Sequence, residues 1–258
     1  MVSDSQLKKL VYFILATPDS GRREIVRDLV ENGLADGERA LVLIPDTDAA
    51  NPVDAKLAAL ANAEVRRWTW ESPELPPMEL PANSTVFFLS DAHADPITQI
   101  ESLKPWLDQH GAQLARIFCV VDCQLAEQQP VLAPWFEACI HFSDVVFLTK
   151  RTGVANKWMS DFVKHFKGQT FPCHFIHVKK GDIPNPALVL DPTPRRISQY
   201  FDYVDELLDI EIETDDEEDD AEDDGELTPP LDSYFVRNTA GRREKELPDI
   251  QLHLPKHD

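Results

Sequence analysis

Long hydrophobic runs are missing from this 258-residue sequence. No apolar stretch approaches the roughly 20 residues that cross a bilayer, and the opening MVSDSQLKKL lacks the apolar core and small-residue cleavage site of a secretory signal. A cytoplasmic protein without membrane attachment is therefore expected. Cysteine is scarce: Cys119, Cys123, Cys139 and Cys173 stand apart, with no CxxC pair. That spacing argues against structural zinc and predicts free thiols, buried or half-buried, in a reducing compartment. A basic surplus is missing as well. The formal net charge is -21, and phosphate backbones need a basic surface, so nucleic-acid binding is disfavoured. No Ser/His/Asp or Cys/His arrangement has local support.

The acidity is concentrated. Residues 202–226 carry 16 acidic and no basic side chains, residues 227–258 balance, and residues 1–201 are left at about -5. The run DIEIETDDEEDDAEDDGE holds too little apolar surface to offset its ordering entropy, and its charges repel one another. Three segments are expected: a folded α/β domain over residues 1–208, a disordered acidic linker over 209–226, and a peptide over 227–258. That peptide regains aromatics and would dock on the domain or on a partner. The acidic run has no EF-hand spacing, so divalent ions would bind it only diffusely.

In the first 205 residues short apolar runs alternate with amphipathic stretches. Strands are expected at Leu10–Ala16, Arg39–Ile44, Glu64–Trp70, Thr85–Ser90, Arg116–Val121, Asp144–Thr149 and Cys173–Val178. TVFFLS, IFCVV and DVVFLT are almost continuously apolar, which suits strands covered on both faces. Helices are expected near 20–33, 53–62, 97–110, 124–138, 154–167 and 194–208. This alternation predicts a doubly wound, mostly parallel sheet of about seven strands with helices on both faces. The proline-dense ESPELPPMELPANS forbids regular helix or central strand between the third and fourth strands.

Three segments bear on chemistry. The first, ATPDSGRREI, joins the first strand to the first helix, where a phosphate loop of the form GxxxxGK[ST] would lie. Such a loop wraps phosphates in backbone N–H groups, reaches them with its lysine and holds magnesium with its hydroxyl. Here the eight positions run from Ala16 to Arg23 and only Gly21 matches; read alone, the stretch is equally a turn in which Asp19 or Ser20 caps a helix. The second, FFLSDAHADP, ends a strand at Asp91, a position suited to magnesium; equally, Asp91 or Asp95 begins the next helix with Pro96 as its first residue. The third, SDVVFLTKRTGV, places Lys150 where guanine-specific enzymes carry NKxD.

Taken in order, LSDAHADP, VVDC and SDVVFLTKRTGV resemble the CobW-type metallochaperone GTPases over roughly residues 10–178. The resemblance implies a phosphate-loop NTPase fold, GTP or ATP with Mg²⁺ as cofactor, and a site built from Ser20, Gly21, Arg22, Arg23 and Lys150, with Asp91 and Asp95 as metal ligands. Several family features are absent. Arg22 replaces the phosphate lysine and Arg23 the magnesium hydroxyl, Thr149 and Thr152 replace the Asn and Asp of the base motif, and RRWTWESPELPP carries no CxCC. Phosphoryl transfer depends on the electrostatics of those missing groups. An arginine can still hold a phosphate.

The favoured reading is a degenerate GTPase-like domain acting as a binding or scaffold protein. It would bind nucleotide or anion weakly at most, and reach a protein partner through its acidic tail and residues 227–258. The alternatives are a divergent GTP-binding metallochaperone with residual hydrolysis, and a divalent-metal buffer based on the tail. GRRE occurs at both Gly21–Glu24 and Gly241–Glu244, a repeat that chance explains by default; the alternative is that both copies address the same kind of anionic surface, with the run Asp215–Asp224 competing with anions for Arg22 and Arg23.

Overall fold

The computed structural model describes residues 9–202 and 231–254. Seven strands form one sheet in the order β3-β2-β4-β1-β5-β6-β7, and every pairing is parallel. They are β1 (Leu10–Ala16), β2 (Arg39–Pro45), β3 (Ala63–Trp68), β4 (Ser84–Leu89), β5 (Gln113–Asp122), β6 (Val145–Thr149) and β7 (His174–His177). The helices are α1 (Arg22–Asn32), α2 (Pro52–Ala58), α3 (Pro96–His110), α4 (Cys123–Gln128), α5 (Ala133–His141), α6 (Asn156–Gly168) and α7 (Pro186–Val189). All seven expected strands are present to within a few residues.

The continuous apolar runs form the middle of the sheet. Every residue of β4 and β6 is buried, as is all but the first of β1. Alternate residues serve opposite layers. Tyr12 and Ile14 join Ile25, Val26 and Leu29 of α1 and Leu57 of α2 in one core. On the other face Phe13 meets Phe88 edge-on, and Phe88 meets Trp106 of α3 with centroids 5.1 Å apart. Such an edge-to-face pair is worth about 0.5–1.5 kcal/mol beyond the area it buries. The proline-dense loop carries no helix and is pinned to α3: Trp106 Nε1 donates to Pro76 O at 2.9 Å, and Met78 N donates to His110 Nε2 at 3.1 Å.

Two expected helices need correction. The stretch 124–138 is broken into α4 and α5, because Gln129 leaves helical geometry (φ -122, ψ 72) ahead of Pro130, whose ring cannot continue a helix. The stretch 194–208 has no helix over its described part, residues 194–202. There the fully buried Asp144 accepts from Arg195 N at 2.5 Å and from Arg196 Nη1 at 3.3 Å, while Arg116 Nε donates to Thr193 O at 3.1 Å. Those bonds tie residues 193–196 to Arg116 of β5 and to Asp144 ahead of β6, and Pro192 and Pro194 disfavour a helix there. Residues 203–208 and the acidic run, including Asp215–Asp224, lie outside the described residues.

The chain divides into two compact units, residues 1–197 with 246–258, and residues 198–245. Within the second, Tyr200 meets Phe235 at 4.6 Å, and the cations of Arg243 and Lys245 lie over the rings of Phe235 and Tyr234. Within the first, Ile250 is buried and Gln251 Nε2 donates to His93 O at 2.9 Å. Among the described residues no helix is long and apolar enough to cross a membrane.

Candidate functional site

In a parallel sheet all strands point their C-terminal ends at one edge, and ligands collect where the strand order reverses. That point here is β1, with β2, β3 and β4 on one side and β5, β6 and β7 on the other. A cavity of about 870 Å³ opens there. Its wall is built from the β1–α1 turn, the loop after β2, His93 after β4, Asp122, the loop after β6, the loop after β7, and Leu254. Ser20, Gly21, Arg22, Arg23 and Lys150 all line it. Asp91 and Asp95 do not.

The start of α1 is set by backbone geometry. Gly21 is its N-cap at φ 90, a left-handed conformation that L side chains adopt at a cost, and no side chain caps the helix. Neither Asp19 nor Ser20 therefore takes the cap expected of the turn. Ser20 Oγ and Thr17 Oγ1 are buried without a hydrogen-bond partner. Thr149 Oγ1 donates within reach of both Ser20 O (2.6 Å) and Val121 O (2.9 Å), which ties the β1 and β6 ends together.

Arg22 and Arg23 are occupied by the protein itself. Arg22 Nη2 meets Asp48 Oδ1 at 2.5 Å and its Nη1 donates to Ser90 O at 2.6 Å. Arg23 Nη2 meets Asp48 Oδ2 at 3.0 Å, its Nη1 meets Asp54 at 3.3 Å, and it also donates to Ala49 O at 2.8 Å. The side chains are sheltered: Arg22 is 3% exposed, Arg23 7% and Asp48 8%. One carboxylate thus bridges two guanidinium groups in a water-poor setting, where charge-assisted bonds are strong. Asp48 was not among the residues anticipated from sequence. The available signal was positional: in a parallel sheet the DTDAANPVD loop after β2 must lie beside the N-terminus of α1.

At the other end of the cavity Lys150 Nζ pairs with Asp122 Oδ2 at 2.9 Å. Asp122 Oδ1 caps α4 by accepting from Gln124 N and Leu125 N at 3.0 and 3.1 Å. Burial, with Asp122 adding, pushes the Cys123 thiol up to about 12, so it stays protonated near neutral pH. All four cysteines are free and buried. Asp91 Oδ1 accepts from Thr47 Oγ1 at 2.9 Å and His93 N at 2.8 Å, and its main chain is clasped by Gln99, which accepts from Asp91 N and donates to Asp91 O. Asp95 caps α3, accepting from Thr98 N at 2.7 Å ahead of Pro96. Among the described residues no three His, Cys, Asp or Glu side chains gather as a metal site.

The groups present do not fit a magnesium-bound triphosphate. No lysine sits at the turn, an arginine stands at the hydroxyl position, and Asp48 holds both guanidinium groups. What remains is the N-terminus of α1 with the unpartnered Ser20 hydroxyl, and Lys179 and Lys180 on the loop after β7.

No protein-family description and no curated protein matches the sequence. Two solved structures are similar: a Zn(II)-bound YjiA GTPase from E. coli, with TM-score 0.40, and a Zn(II)-bound triple mutant of YjiA GTPase, with TM-score 0.41. Each is 14% identical and covers 73% of this chain. The chain matches 66% of their length, just under two thirds. Likeness at this level decides nothing about activity, which rests on the site.

Proposed function

We propose that this chain is a degenerate GTPase-like domain that works as a binding or scaffold protein, with at most weak affinity for nucleotides or other anions. The observation that carries the reading is the bridge from Asp48 to Arg22 and Arg23. Phosphoryl transfer is positioning plus electrostatic stabilisation of the transferring group. Here the two guanidinium groups beside the start of α1 are already engaged by the protein's own carboxylates, Asp48 on both and Asp54 on Arg23. A nucleotide would have to displace Asp48 or bind against it. Breaking a buried pair costs up to about 3–5 kcal/mol, which lowers affinity by at most roughly two to four orders of magnitude.

One observation favours the runner-up, a divergent nucleotide-binding protein. The buried, unpartnered Ser20 Oγ lies on the cavity wall beside the N-terminus of α1, an anion-attracting position. Calorimetric titration with GTP or ATP and Mg²⁺ separates the two readings, because micromolar binding with turnover contradicts the scaffold. The partner is proposed to be a protein reached through the acidic run and residues 227–258. Affinity capture with the full chain, and with the acids of residues 209–226 changed to Asn and Gln, tests that arm: equal capture of the same proteins removes it.

A further inference from the structure

A second depression, of about 450 Å³, lies between α6 and the end of β7. Its floor is Met159 and Val163, and its rim is Arg151, Lys164, Lys167 and His177, with no acidic side chain among the lining residues. β7 is the edge strand of the sheet, four residues long, with both of its histidines exposed. Helix α6 buries only Phe166, which packs on Phe175 of β7. Its Trp158, Met159, Phe162 and Val163 are half-buried and lie on one side at helical spacing, so the helix keeps an apolar face only partly covered.

Charge is sorted around this groove. Lys157 is neutralised by Asp161 at 2.5 Å on the exposed side of α6. Arg151 Nη1 lies 3.0 Å from His177 Nδ1, which fixes the guanidinium at the groove's head. Arg151 also lines the large cavity, together with Lys179, Lys180 and Lys150, the last of which is paired with Asp122. A cationic band thus runs from the groove to the cavity mouth, within a chain whose net charge is -21. Such a local concentration of one sign, against the overall balance, steers and orients a complementary partner.

We infer that the α6–β7 groove is a docking site for an acidic, apolar-containing peptide segment of a partner protein. Carboxylates of the segment meet Arg151, Lys164 and Lys167, and its apolar side chains cover Met159 and Val163. Other ligand classes fit the surface less well. A nucleic acid carries its charge along its whole length, and a band of this few cations matches only a short part of it. A membrane needs protruding apolar side chains, and the exposed large hydrophobic residues described in the same unit, Val131, Leu188 and Leu252, are not among the lining of this groove. This site is independent of the GTPase-like reading and does not need the large cavity to bind anything.

Fluorescence anisotropy with the full-length chain tests the inference. The probe is a labelled peptide of about fourteen residues, alternating Glu and Val, long enough to lie along a helix–strand groove, with a Gln and Val peptide as control. Saturable binding of the acidic probe is expected at about 50 mM salt, weakening about tenfold by about 300 mM as screening sets in. The double variant Lys164→Glu/Lys167→Glu should weaken it at least about tenfold, while Lys157→Glu should leave it unchanged, because only the first pair borders the groove. All three lysines are exposed, so circular dichroism should show native folding throughout. Absence of saturable binding at low salt, equal binding of the Gln peptide, or an unaffected double variant would each overturn the assignment.

Discussion

Replacing Asp48 by alanine should both destabilise the protein and open its cavity to anions. The carboxylate bridges Arg22 and Arg23 at 2.5 and 3.0 Å, and all three side chains are at most 8% exposed. Removing one member of a buried ion pair costs about 3–5 kcal/mol, because the partner charge stays behind. Arg22 keeps its bond to Ser90 O, and Arg23 keeps Ala49 O and Asp54. The lower end of that range, about 3 kcal/mol, is therefore expected. For a chain of this size it corresponds to a fall in Tm of roughly 6–12 °C. Differential scanning calorimetry measures that fall and, repeated with inorganic pyrophosphate, the second effect. The freed guanidinium pair should let pyrophosphate restore much of the loss, since a ligand at a hundred times its Kd stabilises by about 2.7 kcal/mol. The wild-type protein should respond far less. An Asp48→Ala protein as stable as wild type, or a pyrophosphate shift of equal size in both, would refute the reasoning.

Asp144→Ala should cost about 3–5 kcal/mol in chemical denaturation, because it strips the carboxylate from the buried Arg196 and the acceptor from Ile117 N at 2.7 Å. Gly181→Ala should destabilise by at least about 1 kcal/mol in the same assay: its φ is +87, and an added Cβ would lie 2.8 Å from Glu24 Cβ, so the turn after β7 must move off α1. None of the four thiols should react with a disulfide reagent at pH 8 in the native protein, and all four should react in denaturant. All are buried, and burial pushes Cys123 and Cys173 up to about 12, so the thiolate is scarce below that pH and the thiol shielded.

The sheet was legible because its strands are near-continuous apolar runs such as TVFFL and VVFLT, which have few other stable placements in a chain of this length. The described part of the helix expected at 194–208 was not, because long-range bonds to Asp144 and Arg116 hold residues 193–196. A local pattern holds no information about a partner 51 residues away. At the site, the order of ATPDSGRREI and FLTKRT sufficed to bring Ser20, Gly21, Arg22, Arg23 and Lys150 to one cavity. The charge partner of the two arginines was hidden, since Asp48 belongs to no motif and reaches them only through the strand order. Asp95 shows the converse: its aspartate-proline pattern fitted both a metal ligand and a helix cap, and the structure places it at the cap.

The most direct test of the account is a calorimetric titration of the full chain with GTP and with ATP in Mg²⁺, run beside a phosphate-release assay. The Asp48 bridge and the missing lysine and hydroxyl predict no phosphate release above the protein-free blank, and binding no tighter than about millimolar, roughly -4 kcal/mol. Micromolar affinity accompanied by Mg²⁺-dependent turnover would contradict it.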